Sequence, residues 1–169
     1  RAAWAAGVER GEQNWLVAAP TSAGKGLIAE AAAIVAHLRG ERVLWLTPTR
    51  ALAEAARRIF TETYGSLELQ VLCATRDHAD PDGAIDQGQF DLLVAVPEKI
   101  AAWLARRPHG LAGVGLVVVD ELDLLRDAER GPRLDSLLTL MRSGPYQARR
   151  IALMPPASTT VSPSTTCTT

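Results

Sequence analysis

Cysteine and lysine are both scarce in this sequence of 169 residues, and long apolar runs are missing. The two cysteines, Cys73 and Cys167, lack the spacing of a disulfide framework or of a metal site. No apolar stretch reaches the roughly 20 residues that a membrane-spanning helix needs. No basic-then-apolar signal segment opens the chain, which begins at Arg1. These absences predict a cytoplasmic protein in a reduced setting.

Positive charge is not in excess, because the formal net charge is −1. Strong electrostatic binding of nucleic acid requires clustered positive charge, so the composition argues against a highly basic nucleic-acid binder. It leaves open a surface that contacts a backbone at a few points. The only lysines are Lys25 and Lys99, and Lys25 lies inside a glycine-containing turn.

Short apolar runs alternate with helix-like stretches along most of the sequence. Such alternation indicates βαβ units and a mostly parallel sheet with helices on both faces, so the predicted fold class is α/β. A turn-rich loop is expected at residues 75–83. Strands are predicted at 15–20, 42–48, 67–74, 90–96, 114–122 and 149–154, and helices at 24–40, 49–60, 97–107 and 132–144.

The composition changes abruptly near the end of the sequence. Residues 155–169, "PPASTTVSPSTTCTT", are rich in Ser, Thr and Pro and carry no charge. Such a segment buries too little apolar surface to order itself. The predicted organisation is one domain over residues 1–153 followed by a disordered tail over residues 154–169.

The segment "APTSAGKG", residues 19–26, departs at two positions from the phosphate-binding loop G-x-x-x-x-G-K-[ST]. It lies between a predicted strand and a predicted helix, which is the context that this loop requires. Backbone N–H groups of such a loop bind phosphate oxygens, and Lys25 would reach the terminal phosphates. A simple strand-to-helix turn with a surface lysine is the alternative. The candidate phosphate-binding residues are Ala19, Pro20, Thr21, Ser22, Ala23, Gly24, Lys25 and Gly26.

The two departures differ in weight. Ala19 in place of the first glycine is a mild change. Gly26 stands where a Ser or Thr hydroxyl would bind magnesium, and glycine has no hydroxyl, so a direct metal ligand is missing. Thr21 and Ser22 lie in the loop, but nothing in the sequence assigns this role to either.

A second candidate group lies in "VVVDELD", residues 117–123. The run of β-forming residues brings Asp120 and Glu121 to the carboxyl end of a strand, where open α/β sheets bind ligands. Asp120 can hold magnesium, and Glu121 can orient or deprotonate an attacking water. The alternative is a carboxylate pair that caps the strand and the next helix.

Four segments, "APTSAGKG", "TPTRALAEA", "VPEKI" and "DELD", occur in an order that resembles the first RecA-like domain of superfamily-two DExD/H-box helicases. The residues of the four motifs are most similar to those of the Ski2-like and Lhr-like branch, and the resemblance covers roughly residues 1–153. It implies a RecA-like P-loop NTPase fold, a three-layer sandwich that uses ATP and Mg²⁺. It also implies that Lys25 and Glu121 are catalytic, that Asp120 binds the metal and that Asp123 couples the site to its neighbours.

The resemblance further implies contact with a DNA or RNA backbone. Backbone contact is expected because a translocase must ignore base sequence. On simpler interpretations Pro48 and Thr49 start a helix, and Pro97 occupies a first helical position, where proline is favoured. The candidate nucleic-acid-binding residues are Pro48, Thr49, Arg50, Pro97, Glu98 and Lys99.

Other departures concern the coupling of ATP hydrolysis to movement. Val96 replaces a Thr of the family pattern, and "LMPPAS" stands where a Ser-Ala-Thr motif is expected. A second RecA-like domain, which closes the ATP cleft in the family, is missing from this sequence and is an expected partner. We hypothesise a truncated or frame-shifted gene copy whose last residues are not family sequence.

Three functions follow from these patterns. The first is the motor domain of an ATP-dependent DNA or RNA helicase. The second is a catalytically impaired remnant that binds nucleotide or nucleic acid. The third is another P-loop ATPase, such as a transport or partition motor, which the segment "TPTRALAEA" disfavours.

Overall fold

A computed structural model describes residues 14–20, 23–75, 81–107, 109–143 and 148–156. In this part of the chain, six strands form one sheet in the order β1-β6-β5-β2-β4-β3, and every neighbouring pair is parallel. The predicted α/β class with a parallel sheet is confirmed. The strands are β1 (Trp15–Ala18), β2 (Arg42–Leu46), β3 (Val71–Ala74), β4 (Leu92–Ala95), β5 (Val114–Val119) and β6 (Arg149–Met154).

Helices connect the strands as parallel pairing requires. Two short 3-10 helices, Gly65–Leu67 and Leu122–Arg126, follow α2 and β5. No described helix has the length and apolar character needed to cross a membrane. The α-helices are α1 (Lys25–Leu38), α2 (Arg50–Thr63), α3 (Pro81–Asp86), α4 (Pro97–Arg106) and α5 (Gly131–Ser143).

Alternation along the strands creates a core on each face of the sheet, because successive side chains point to opposite faces. In β2, Val43 and Trp45 pack on the face covered by α1 and α2, where the alanines of α1 allow close approach. Leu44 and Leu46 pack on the opposite face against α4 and α5, where Trp103 is fully buried. The result is three layers, helix–sheet–helix, consistent with a RecA-like domain.

Several local predictions differ from the structure. The strand predicted at 114–122 ends at Val119, before a 3-10 helix that begins at Leu122, and the helix predicted at 49–60 continues to Thr63. The strand predicted at 67–74 is confined to β3, since Gly65–Leu67 forms a 3-10 helix before it. The loop predicted at 75–83 gives way to α3 from Pro81 onward. The strand predicted as buried, β1, pairs only with β6 among the described residues, and its Leu16 is 59% exposed. The segment from residue 157 onward lies outside the described residues, so the disordered tail and the domain boundary stay predictions.

Parallel pairing places the carboxyl ends of all six strands at one edge of the sheet. The loop before α1 follows β1, and the turn before α2 follows β2. Val96 joins β4 to α4, and the acidic residues Asp120 and Glu121 follow β5. Each candidate segment therefore leaves the sheet at the edge where open α/β sheets bind ligands.

Candidate nucleotide and nucleic-acid site

The described part of the candidate phosphate loop turns tightly from β1 into α1. The N–H of Ala19 donates to the Met154 carbonyl at 3.3 Å, and the N–H of Ala23 donates to the Pro20 carbonyl at 3.0 Å. Gly24 precedes the helix with φ 76°, a left-handed conformation that favours glycine. Thr21 and Ser22 lie outside the described residues.

The N-terminus of α1 is suited to an anion. No side chain caps it, and its first turn contains no acidic residue. Unpaired N–H groups and the helix dipole therefore favour a negative group at this end. Lys25, the first residue of the helix, adds a full positive charge although its side chain is only 9% exposed.

Gly26 has room for a side chain. A Cβ built there meets only Glu30 Oε1, at 3.5 Å, which is ordinary van der Waals contact. Its backbone is ordinary helix, so glycine is not required for conformation. The absence of a hydroxyl at this position is therefore a chemical feature of the site and not a steric necessity.

Asp120 and Glu121 are fixed at the end of β5 by backbone hydrogen bonds. The N–H of Asp120 donates to the Leu46 carbonyl at 2.9 Å, which continues the pairing with β2. The N–H of Glu121 donates to Asp120 Oδ1 at 3.0 Å. Glu121 itself has φ 53°, an uncommon conformation for a residue with a side chain, and its side chain is exposed.

The charge of Lys25 affects the pKa values of Asp120 and Glu121. Burial raises the pKa of Asp120 above its ordinary value, while the hydrogen bond from Glu121 and the charge of Lys25 act in the opposite direction. Burial and the neighbouring charges of Asp120 and Asp123 raise the pKa of Glu121, and Lys25 again opposes the change. A carboxylate with a raised pKa is a better proton acceptor, which suits a residue that activates water.

An acidic cavity of about 260 Å³ lies beside Glu121. It contains Asp123, whose buried Oδ1 accepts no hydrogen bond from the described residues. On its rim, Asp127 accepts hydrogen bonds from the N–H groups of Glu129 and Arg130 and from the Arg130 guanidinium. The acidic cavity is lined by Pro48, Thr49, Glu121, Asp123, Leu124, Asp127 and Arg130.

A basic cavity of about 420 Å³ lies on the other side of the turn between β2 and α2. Thr49 caps α2 by accepting a hydrogen bond from the Leu52 N–H at 3.3 Å. Pro48 and Thr49 line both cavities, so one turn separates the acidic cavity from the basic one. The basic cavity is lined by Pro48, Thr49, Arg50, Val96, Glu98, Lys99, Ala102 and Arg133.

The side chains of the site fit a magnesium ion that is held mainly by nucleotide phosphates and water. Within the described residues, no group of three or more His, Cys, Asp or Glu side chains is arranged to hold a metal. Asp120 is one half-buried carboxylate, and Gly26 contributes no oxygen. Mg²⁺ commonly keeps several waters and binds through one or two carboxylates and substrate phosphates, so a single protein carboxylate is compatible with it.

The comparisons with known proteins agree with this arrangement. A family model described as DEAD/DEAH box helicase matches residues 1–168. The chain belongs to the DEAD/DEAH box helicase family. The predicted resemblance to superfamily-two helicases is thereby confirmed, and the relatives below are Hel308 proteins of the Ski2-like group.

Among the relatives of this chain are proteins named ATP-dependent DNA helicase Hel308. The one from Pyrobaculum calidifontis is 37% identical over 127 residues, which cover 75% of this chain and 17% of the relative. The one from Pyrococcus horikoshii is 35% identical over 136 residues, 80% of this chain and 18% of the relative. The one from Pyrococcus abyssi is 36% identical over 136 residues, with the same coverage of both chains. The chain thus spans less than a fifth of the length of these relatives.

The structure brings most of the predicted site residues together. The charge of Lys25 acts on both Asp120 and Glu121, and five of the six candidate nucleic-acid residues line the basic cavity. Pro97 is the exception, because it is buried at the start of α4. Sequence reasoning missed Arg130 and Arg133, which belong to none of the four motifs. Their one sequence signal is their position around a helix N-terminus, where the helix dipole disfavours cations.

Proposed function

We propose that this chain is the ATP-binding motor domain of an ATP-dependent DNA helicase. The observation that carries the proposal is that the N-terminus of α1, with Lys25, and the carboxylates Asp120 and Glu121 after β5 lie at the same edge of the parallel sheet. The charge of Lys25 also opposes the raised pKa of both carboxylates. A phosphate-binding helix end beside two carboxylates is the arrangement that phosphoryl transfer to water needs. The relatives are DNA helicases by name, which favours DNA over RNA as the nucleic acid.

The proposed roles follow from the chemistry of each group. The loop Ala19–Gly26 binds the phosphates of ATP through backbone N–H groups, and Lys25 neutralises the terminal phosphates. Glu121 orients the attacking water and accepts its proton, a role that its raised pKa supports. Asp123 couples the site to its neighbours in this proposal, and its buried Oδ1 has no hydrogen-bond partner among the described residues.

Asp120 would hold Mg²⁺ together with the nucleotide phosphates. When bound, this ion would supply positive charge beside the nucleotide phosphates. In this chain the position of the usual hydroxyl ligand is open, because Gly26 has no side chain and a Cβ there meets only Glu30 at 3.5 Å. A water molecule is the ligand that this space allows.

Nucleic acid would bind in the basic cavity. Arg50 and Lys99 supply positive charge, while Thr49 sits at the start of α2. Contacts of this kind bind phosphates and do not select bases, which suits movement along DNA. Pro48 and Thr49 separate this cavity from the acidic one, so we propose that the turn transmits changes between ATP and DNA.

A second RecA-like domain is the proposed partner. The matched region covers 17% and 18% of two DNA helicase relatives, so the activity of those proteins involves much more chain than this domain. Groups from a second domain would complete the ATP site with an arginine, a contribution worth about 10³–10⁵ in rate in related enzymes.

A second candidate function is an impaired domain that binds nucleotide or DNA without turnover. Two observations favour it. Gly26 provides no metal ligand, and Pro155 and Pro156 follow β6 where the coupling motif of the family is expected. Proline has no N–H to donate, so this segment offers fewer hydrogen bonds to Asp123 or a nucleotide than a Ser-Ala-Thr segment would.

ATP turnover distinguishes the two candidates. The chain would be mixed with, or fused to, a second RecA-like domain from a Hel308 relative, and phosphate release would be measured with and without oligothymidylate. The motor-domain hypothesis predicts DNA-stimulated phosphate release that is lost in Glu121→Gln. The control variant Arg142→Ala, which changes an exposed arginine outside both cavities, should keep this activity. If wild type releases no phosphate but Gly26→Thr does, the impaired-domain reading is correct.

A further inference from the structure

The basic cavity is lined by positively charged side chains from three different helices. Arg50 is the first residue of α2, and Lys99 is the third residue of α4. Arg133, the third residue of α5, lines the same cavity although it belongs to no recognised motif. A cation in the first turn of a helix is disfavoured by the helix dipole. Three such cations around one cavity therefore create an unusually favourable environment for phosphate groups.

Arg133 also borders a second cavity of about 440 Å³. Glu98 and Arg133 line both cavities, so the two join into one groove that runs between α4 and α5. The second cavity is walled mainly by apolar atoms, including those of Ala101 and Pro132, with Ser136 at its side. A groove with charge at one end and small apolar side chains along it fits a sugar–phosphate chain.

We propose that Arg133 is a further phosphate-binding residue, and that the DNA backbone continues past the Pro48–Thr49 turn into the groove between α4 and α5. This inference rests on the proposed function, because it extends the same nucleic-acid path. It adds a contact outside the four motifs and gives the path a direction across the surface of the domain.

The state of the Arg133 side chain supports this role. It is exposed, and no ion pair joins it to an acidic side chain in the described part of the chain. The nearby Arg130 differs, since its guanidinium is bound to Asp127 at 3.0 Å. Among the described residues, the guanidinium of Arg133 thus has no carboxylate partner, whereas that of Arg130 is paired with Asp127.

Glu98 limits where the phosphates can lie. Its carboxylate lines both cavities and acts electrostatically on Arg130. Because it repels phosphate, the backbone should follow the Arg133 side of the junction. Replacing Glu98 by Gln should therefore tighten DNA binding, whereas replacing Arg133 by Ala should weaken it.

The test measures binding of fluorescein-labelled oligothymidylate to the whole chain by fluorescence anisotropy, at several salt concentrations. The variants are Arg133→Ala, Arg133→Lys and Lys99→Ala. The matched control is Arg142→Ala, which removes an exposed arginine from the other end of the same helix. Loss of one phosphate contact should reduce the slope of log K against log salt by about 0.7 for single-stranded DNA.

We expect that reduction for Arg133→Ala, an unchanged slope for Arg142→Ala and a preserved slope for Arg133→Lys. If Lys99→Ala reduces the slope and Arg133→Ala does not, the inference is overturned while the proposed function stands. If wild type binds no oligothymidylate at the lowest salt, DNA binding by this domain fails, and the inference fails with it.

Discussion

At the scale of single residues, Asp123 has a buried carboxylate oxygen that lacks a hydrogen bond among the described residues. Its buried Oδ1 accepts no hydrogen bond from the described residues, although the side chain lines the acidic cavity. A buried acceptor without a partner costs stability. Such a cost is typical of functional positions, where a bound group or a second domain supplies the partner.

We therefore expect Asp123→Ala to raise the free energy of unfolding of the chain by about 1 kcal/mol. Urea denaturation followed by circular dichroism measures the change. Asp135→Ala, which removes an exposed carboxylate from α5, is the control and should have little effect. A loss of stability of similar size in Asp123→Ala would show that this carboxylate has a stabilising partner.

Asp127 makes the free energy of unfolding depend on pH in the acidic range. Hydrogen bonds from the N–H groups of Arg130 and Glu129 and from the Arg130 side chain lower its pKa from the ordinary 3.8 to about 2. A lowered pKa means that the folded state favours the ionised form. The stabilisation is therefore fully present above pH 3.8 and is lost as the pH falls toward 2.

Asp127→Asn should remove this part of the pH dependence, since the amide oxygen still accepts hydrogen bonds but does not titrate. The measurement is the free energy of unfolding of both proteins between pH 5 and pH 2, a range that spans the two values of Asp127. The difference between wild type and variant should shrink as the solution is acidified. A difference that stays constant with pH would contradict the hydrogen-bonded ion pair.

Residues within motifs could be singled out from the sequence as candidates, whereas residues outside motifs could not. Lys25, Asp120 and Glu121 were identified because their spacing and context match known chemistry. Arg133 was missed because a single arginine in a helix is common, and only the packing of α4 against α5 places it at the cavity. The orphaned oxygen of Asp123 likewise depends on burial, which the sequence does not specify.

At the scale of secondary-structure elements, the first turns of α5 and α1 each contain a glycine, but the space around the two glycines differs. A Cβ on Gly131 would lie 2.4 Å from the Leu125 carbonyl oxygen, which is backbone and has little freedom to move. A Cβ on Gly26 would lie 3.5 Å from the end of the Glu30 side chain. Glycine is thus required by close packing at the start of α5 and is optional in the first turn of α1.

We expect Gly131→Ala to lower the free energy of unfolding by about 1–3 kcal/mol, the usual cost of forcing extra atoms into a packed site. Gly26→Ala is the matched variant and should be neutral or stabilising by about 0.5–1 kcal/mol, because alanine favours helix. Equal effects in the two variants under urea denaturation would contradict the close approach of Leu125 to α5.

Element type followed from sequence more reliably than element ends. Apolar runs identified all six described strands, since buried parallel strands are short and continuous in apolar residues. The alternating residues before β3 were wrongly assigned to that strand, because Gly65–Leu67 coils into a 3-10 helix first. The turn-rich composition around residue 80 hid α3, although proline at its first position, Pro81, is a favoured helix start.

At the scale of the whole molecule, charge is balanced overall but concentrated locally. The net charge of −1 argued against a basic nucleic-acid binder, yet Arg50, Lys99 and Arg133 surround one cavity. The parallel sheet produces this concentration, since it brings the ends of β2 and β4 to the same edge. The strand order that does so could not be read from the sequence, because alternating strands and helices are compatible with many orders.

The same edge brings the acidic cavity beside Glu121 within one turn of the proposed DNA site. Pro48 and Thr49 form a shared wall between the acidic and basic cavities. If ATP binding moves this wall, DNA affinity changes with it, and linkage requires the reverse effect to be equal in free energy. The central claim on which this depends is that the loop before α1 binds Mg-ATP.

Calorimetric titration of ATP, with and without magnesium, tests that claim most directly. The proteins are wild type, Lys25→Ala and Gly26→Thr, a variant for which the space beside Glu30 leaves room. We predict that wild type binds ATP more tightly with magnesium, that Lys25→Ala abolishes binding and that Gly26→Thr strengthens the magnesium dependence. Binding of equal strength in wild type and Lys25→Ala, or no binding even in Gly26→Thr, would contradict the account.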